Sequence, residues 1–353
     1  MKALRWHAQK DIRLDDIPES VVGEGQVKLK IKWCGICGTD IHEYEAGPLL
    51  LRTDKPHPLV GSKTAPIVLG HEFSGEIVEL GENVQGLNTG DRVTVRPTIP
   101  CYHCYWCKKG NQVLCSTLGT IGLVWDGGFA EYMVAPSDCI FKIPDDLSFE
   151  AASFVEPLSC TVHAVERSGL NPGDSVAVIG AGPIGCLTMQ AAKASGAGSI
   201  FVVETLEKRA QIALSLGATA VFNPADVDPG KEIAKMTGGM RADIAFECAG
   251  PQSALLTALK VTGKGGKIVE VGQMVESCDF PFSRLWMHEK TIITSQGYNN
   301  EIPAAISFLT DKRVDIEPLI TARIKLDNII EQGFKTLTSD KRFDHMKIIV
   351  TPE

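Results

Sequence analysis

The sequence predicts an α/β chain of two domains, a β-rich one followed by a doubly wound parallel sheet. Three observations predict it. The chain has 353 residues, more than one hydrophobic core usually organises. Its character changes near residue 150, where short runs punctuated by Gly and Pro give way to alternating strand-like and helix-like runs. The first strand of the second half leads directly into Gly180-Ala-Gly182-Pro-Ile-Gly185.

In the first half, VKLKIKW, GEIVEL and DRVTVRP read as strands of an irregular, barrel-like domain over residues 1–153. In the second, SVAVIG (175–180) precedes PIGCLTMQAAKASGA, and SIFVVE (199–204) precedes LEKRAQIALSLGA. AVFN, DIAFECAG, KIVEVG and TIITSQG supply later strands, with QSALLTALKVTG as a helix between two of them. This βαβ alternation builds a parallel sheet over residues 154–297. From residue 298 the pattern loosens, and 298–353 is expected to return to the first domain.

Composition excludes several functions. Hydrophobic content of 44% and charged content of 22% are ordinary for a globular protein. A net charge of −8 argues against nucleic acid or an anionic membrane as the main partner. MKALRWHAQK has no apolar signal-like core, and VAVIGAGPIGCLTM is too short and too broken to span a bilayer. Eleven cysteines without a secretory signature point to the reducing cytoplasm.

Four of those cysteines, Cys101, Cys104, Cys107 and Cys115, are spaced C-x2-C-x2-C-x7-C within residues 97–116. Four thiolates so close in sequence can surround one ion, and a closed S4 set suits a structural Zn2+. An iron–sulfur run would end with three spacers and a proline, whereas here seven residues intervene and Ser116 follows. Disulfides fit poorly with a cytoplasmic chain.

The glycine run gains meaning from its place between a strand and a helix. Gly180 permits the tight turn, Gly182 lets the backbone approach a pyrophosphate, and Gly185 lets helix pack on strand. Glu204 ends the next strand, where an acid would bind ribose hydroxyls. Dinucleotide binding follows, with a chance glycine turn as the bland alternative.

GICGTD, GHE, the four-cysteine lobe, DGGFAEY, VEPLS, GAGPIG and KGGKIVEVG occur in the order and spacing of one family. The chain resembles the zinc-dependent medium-chain dehydrogenase/reductases over essentially its full length. The resemblance implies a GroES-like catalytic domain, a Rossmann NAD-binding domain and an active site in the cleft between them. It implies a second, catalytic zinc held by Cys37 and His71, with Glu72 or Glu156 completing the set. Thr39 would contact the reacting alcohol, His42 would pass its proton towards solvent, and Asp40 would orient a ligand. Pro183, Ile184, Arg209, Val271 and Gly272 fall at the family's cofactor positions. Hydride would pass between an alcohol carbon and the nicotinamide of NAD. The family also implies a homo-oligomer, dimer or tetramer.

Many alcohol dehydrogenases carry a cysteine where this chain has Glu156. That departure, with WCGICGTDIHEY-x2-GP, places the chain nearest the 2,3-butanediol and sorbitol dehydrogenase branch. A secondary alcohol or vicinal diol is the implied small-molecule substrate, with sorbitol-like polyols second and threonine third. Residues 46–66 form a long loop expected at the pocket mouth, with an inert surface excursion as the alternative. Cys34, Cys139, Cys160, Cys186, Cys248 and Cys278 read as small core side chains. A zinc-bearing nucleotide sensor is the non-enzymatic alternative. Keeping Cys37, Thr39, His42, His71 and Glu156 together argues against it, because a sensor needs no proton path.

Overall fold

Alternating apolar residues build the first unit. Its strands are β1 (Lys2–Ala8), β2 (Asp11–Asp16), β3 (Gln26–Gly35), β4 (Ile67–Val68), β5 (Glu72–Leu80), β6 (Arg92–Val95), β7 (Thr98–Ile99), β8 (Gly119–Thr120), β9 (Tyr132–Pro136) and β10 (Ile140–Lys142). The computed structural model describes residues 1–60, 64–274 and 277–353. In β3, Val27, Leu29 and Ile31 point into the core while Lys28, Lys30 and Lys32 point out, the two-residue period of a half-buried strand. β3 pairs antiparallel with β5 and β9, and it is the spine of this unit. Between β3 and β4 lies helix α1 (Gly38–Ala46). Two short helices, α2 (Tyr105–Lys108) and α3 (Phe149–Ala152), follow.

Helix α4 (Val155–Ser168) opens the second half. There, β11 (Val176–Ile179), β12 (Ile200–Val203), β13 (Ala220–Phe222), β14 (Ala242–Glu247), β15 (Thr262–Glu270) and β16 (Thr291–Thr294) form one sheet. Its order is β13-β12-β11-β14-β15-β16 and every pairing is parallel. The order reverses between β11 and β14, the point where an open α/β sheet binds its ligand at the carboxyl ends of the strands. Helices α5 (Pro183–Ala194), α6 (Glu207–Ser215), α7 (Pro229–Met236), α8 (Gln252–Val261), α9 (Phe282–Trp286) and α10 (Ile302–Thr310) belong to this half. The strands β11 and β12 are fully buried and continuously apolar, as parallel strands covered on both faces must be.

Two compact units result, Met1–Glu156 with Ile320–Glu353, and Pro157–Leu319. The return to the first unit thus begins at 320, not at 298. Segment 298–319 is held in the second unit by polar contacts. Gln190 of α5 both donates to the Asp315 carbonyl (3.0 Å) and accepts from its N–H (2.7 Å). His163 of α4 pairs with Glu301 at 2.6 Å, both side chains buried. The segment's helix α10 also buries Ile302, Ala305, Phe308 and Leu309. The chain then adds β17 (Ile320–Lys325) and β18 (Lys347–Thr351), parallel to each other, with β18 antiparallel to β3.

Among the described residues no helix is long and apolar enough to cross a membrane. Cys34, Cys139 and Cys186 are buried as expected, whereas Cys160, Cys248 and Cys278 keep partial exposure.

Candidate active site

Cys37 is the N-cap of α1, and Asp40 at the third helical position turns back to accept from the Cys37 N–H at 2.9 Å. This capping contact fixes the side chain where the site needs it. The other Asp40 oxygen faces His71 Nδ1 at 3.6 Å, and Asp40 is fully buried. His71 immediately precedes β5, and Glu72 begins it. Donor atoms of Cys37, His71 and Glu72 lie within 4.8 Å of one another. Burial alone would lower the His71 imidazole, but Asp40 and Cys37 outweigh it and hold it well above the usual range. The site therefore demands positive charge, as a proton or as a metal ion. Mixed N, S and O donors fit Zn2+, with Asp40 in the place of a carboxylate that orients a ligating histidine.

Thr39 Oγ1 lies 3.7 Å from Cys37 Sγ. His42 is three residues further along α1, on the same face, and exposed. Glu156, at the start of α4, is buried but is not one of the three clustered donors.

Two further residues carry no signal in the sequence. Lys347, the first residue of β18, forms a buried ion pair with Glu72. Burial would lower its ammonium, but Glu72, then Cys37 and Glu156, raise it above the ordinary range. Gly35 leaves space for the pair, since a Cβ there would collide with the Glu72 carboxylate. In the pattern Lys-Ile-Ile-Val-Thr a leading lysine reads as solvent-facing, so only the strand pairing reveals it. The second is Glu43, fully buried on α1. It accepts from the N–H groups of Leu49 (2.9 Å) and Leu50 (2.5 Å), fixing the start of the long loop. Leu49, Leu50, Leu51, Arg52 and His57 of that loop line a cavity of about 210 Å³ with residues near Leu118–Val124. Residues 61–63 of the loop lie outside the described residues.

The second cluster is Cys101, Cys104, Cys107 and Cys115, again with all four sulfurs within 4.8 Å. Recorded sulfur separations of 3.6 and 3.9 Å fit the edge of about 3.8 Å expected when Zn–S is roughly 2.3 Å and tetrahedral. They are far too long for disulfides. Backbone N–H groups lower the Cys104 thiol to about 5, while burial and neighbouring thiols push Cys107 up to about 12. Four sulfurs this close cannot all ionise without a cation among them.

In the second unit the glycine turn behaves as its spacing implied. Gly180 has φ +91, and a Cβ at Gly185 would overlap the Gly180 carbonyl oxygen. Above Gly182 the space is open, the first atom met being Arg209 Nη1 at 3.8 Å from a Cβ placed there. Pro183 and Ile184 form the first turn of α5. Glu204 is buried and accepts from the N–H groups of Ala181 (2.7 Å), Thr205 (2.7 Å) and Leu206 (2.8 Å). Beside it lies a pocket of about 320 Å³ whose charged lining, Glu204, Glu207 and Asp226, is entirely acidic. Val271 and Gly272 follow β15, with both N–H groups donated to the Glu247 carbonyl.

This arrangement has known counterparts. Residues 23–145 match the alcohol dehydrogenase GroES-like domain, and residues 183–311 match the zinc-binding dehydrogenase family. The chain is 41% identical over 353 residues to (R,R)-butanediol dehydrogenase of Bacillus subtilis (strain 168), spanning all of both chains. It is 34% identical over 362 residues to a sorbitol dehydrogenase of Halalkalibacterium halodurans, covering 100% of this chain and 99% of that one. The crystal structure of 2R,3R-butanediol dehydrogenase from Bacillus subtilis superposes with a TM-score of 0.93 at 41% identity, covering 100% and 99% of the two chains. The chain belongs to the zinc-dependent medium-chain dehydrogenases. It is an oxidoreductase of that family, built from a GroES-like unit and a Rossmann-type unit.

The buried pair sets one expectation for this dehydrogenase. Lys347→Met leaves the Glu72 carboxylate buried without its counter-charge, a loss of roughly 3–5 kcal/mol. Denaturant unfolding without added metal should show that loss, and Glu72→Gln in the Lys347→Met background should recover part of it.

Proposed function

We propose that this dehydrogenase interconverts a vicinal diol and its hydroxyketone, 2,3-butanediol and acetoin, using NAD. The site carries this reading through its carboxylates: Glu72 stands with Cys37 and His71, and buried Glu156 lies near enough to raise Lys347. The likeness to butanediol dehydrogenase over the whole chain supports it. A polyol such as sorbitol is the second reading, supported by the sorbitol dehydrogenase relative.

Cys37 and His71 would hold the catalytic zinc with a glutamate. Glu72 has its donor atom in place but is shared with Lys347, so Glu156 is the residue with which it would exchange. Bound zinc supplies Lewis acidity that makes an alcohol easier to deprotonate. NAD supplies the hydride acceptor. Asp40 fixes the His71 ring, Thr39 takes the alcohol proton, and exposed His42 passes it to water. Glu43 holds the loop that would border the substrate. The Gly180–Gly185 turn and the N-terminus of α5 would face the cofactor phosphates, with Glu204 towards the ribose. Cys101, Cys104, Cys107 and Cys115 would hold the structural zinc, giving two ions per chain. A cytoplasmic location fits eleven cysteines without a disulfide.

Metal analysis and activity separate the two zinc roles. Pure protein should contain two zinc ions per chain. Cys104→Ser should lower thermal stability first, because the lobe loses a ligand. Cys37→Ser should abolish turnover while leaving the circular dichroism spectrum unchanged.

Initial rates test substrate and cofactor together. A hydrogen bond from the second hydroxyl to a charged carboxylate is worth roughly 1.5–3 kcal/mol. That predicts about a tenfold to hundredfold preference in kcat/KM for 2,3-butanediol over 2-butanol, much reduced in Glu156→Ala. NADP should serve poorly, because its phosphate would meet the acidic lining beside Glu204. Equal rates with 2-butanol, or faster oxidation of sorbitol, would move the assignment to the polyol reading.

Self-association would run through the second unit. β16 is the last strand of the sheet, and Phe282, Trp286 and Met287 just before it are 70%, 82% and 59% exposed. Apolar exposure next to a sheet edge favours pairing with a second copy. Trp286→Glu should lower the mass measured by light scattering to that of a smaller assembly.

A further inference from the structure

Glu247 and Glu270 are the last residues of β14 and β15, and they are register partners in the parallel sheet. Glu247 is fully buried. Its Oε1 accepts from the N–H groups of Ala249 (2.7 Å) and Gly250 (2.8 Å). Its Oε2, and both carboxyl oxygens of Glu270, are shut off from solvent without a hydrogen-bond partner among the described residues. Gly272 leaves them room, since a Cβ there would lie 2.6 Å from Glu247 Oε2.

Among the described residues the surrounding elements bring no counter-charge. Directly after β14 comes the Cys248 thiol, which burial pushes up and which Thr188 of α5 faces at 3.7 Å. Cys186 of α5 lies behind it, likewise held protonated by burial. Lys267 of β15 donates to the Ser168 carbonyl, and Arg167 of α4 donates to the Thr294 carbonyl on β16. Two carboxyls on adjacent strands without a cation cannot both ionise. Burial, then Glu247, pushes Glu270 up to about 8, and burial raises Glu247 as well.

We propose that Glu247 and Glu270 share one proton and together position the cofactor edge of the sheet, so that NAD(H) binds tightly only while that proton is held. The cofactor half of this inference rests on the NAD reading given above. Glu247 is the hub of two turns. Its side chain holds Ala249 and Gly250, and its carbonyl holds Val271 and Gly272 at 2.8 and 2.9 Å. Ala249 in turn packs on the glycine turn, where a Cβ at Gly180 would sit 2.9 Å from Ala249 Cβ. With one proton present, Glu270 donates to Glu247 and the carboxylate stays on its amides. Without it, two negative charges repel at neighbouring strand ends, and the turns over them move. Because the shared proton is held more firmly than in a free carboxyl, it stays bound at neutral pH and leaves as pH rises past the raised value. Cofactor binding should weaken in the same window.

The test measures NADH affinity by fluorescence titration across about pH 6.5–9.5, beside carboxyl titration by 13C NMR on glutamate-labelled, cofactor-free protein. Wild type should lose about tenfold in affinity per pH unit above the transition, with one carboxyl titrating in the same range. Glu270→Gln keeps a donor for Glu247, so it should bind NADH as wild type does at pH 7 and stay flat at higher pH. Glu270→Leu removes the donor and should bind more weakly at every pH. The proposal is overturned if every carboxyl of the cofactor-free protein titrates in the ordinary range. It is equally overturned if Glu270→Gln keeps the wild-type pH dependence. Should wild type fail to bind NADH at any pH, the NAD reading falls and the cofactor role with it, while the NMR titration still decides whether the proton is shared.

Discussion

The buried ion pair between Glu72 and Lys347 is the constraint on which the first unit depends. A carboxylate removed from water needs a counter-charge, and the charge comes from the far end of the chain. β18 must therefore lie beside β3, and β3 beside β5, for Lys347 to reach the residue that follows His71. That requirement explains why residues 320–353 leave the second unit and complete the first. It also sets the chemistry at Cys37 and His71. A lysine already balances Glu72, so any metal there shares a carboxylate with a fixed cation.

Carboxylates on backbone amides are the device used at every functional turn. Asp40 holds the Cys37 N–H, Glu43 holds Leu49 and Leu50, Glu204 holds Ala181, Thr205 and Leu206, and Glu247 holds Ala249 and Gly250. Such bonds are charge-assisted and stronger than neutral ones. Each fixes a loop that would otherwise keep its conformational freedom, which costs about 1–2 kcal/mol per residue to remove. The same side chains can then meet a ligand without moving. Much of the acidic excess of this chain is thus part of its loop architecture.

Local signals were legible in the sequence, and distant partnerships were not. The cysteine lobe and the glycine turn each lie within a short segment, so spacing alone located Cys101–Cys115 and Gly180–Gly185. Strand alternation located β3, and a continuous apolar run located β11. Helix α7 escaped the pattern although Asp228 and Pro229 form an ordinary helix start, with Asp228 accepting from Lys231 N–H. The boundary at 298 was misplaced because the partners that tie that segment to the second unit, Gln190 and His163, lie more than a hundred residues away, although α10 itself buries Ile302, Ala305, Phe308 and Leu309. Lys347, Glu43 and the Glu247–Glu270 pair depend on strand register or loop path, and neither can be read from composition.

The orientation of Glu204 shows how such a site reconciles rigidity with recognition. A carboxylate offers about four lone-pair positions. On Oε1, Thr205 and Leu206 supply backbone N–H groups and the Thr205 hydroxyl approaches at 3.3 Å, while Oε2 receives the Ala181 N–H. The same amides fix the orientation of this buried side chain. On the proposed NAD reading, a ribose hydroxyl would meet an acceptor already buried and already fixed, whereas a phosphate would meet an acid that cannot turn away. On that reading, selectivity between the two dinucleotides would follow from the rigidity of the turn as much as from the sign of the residue.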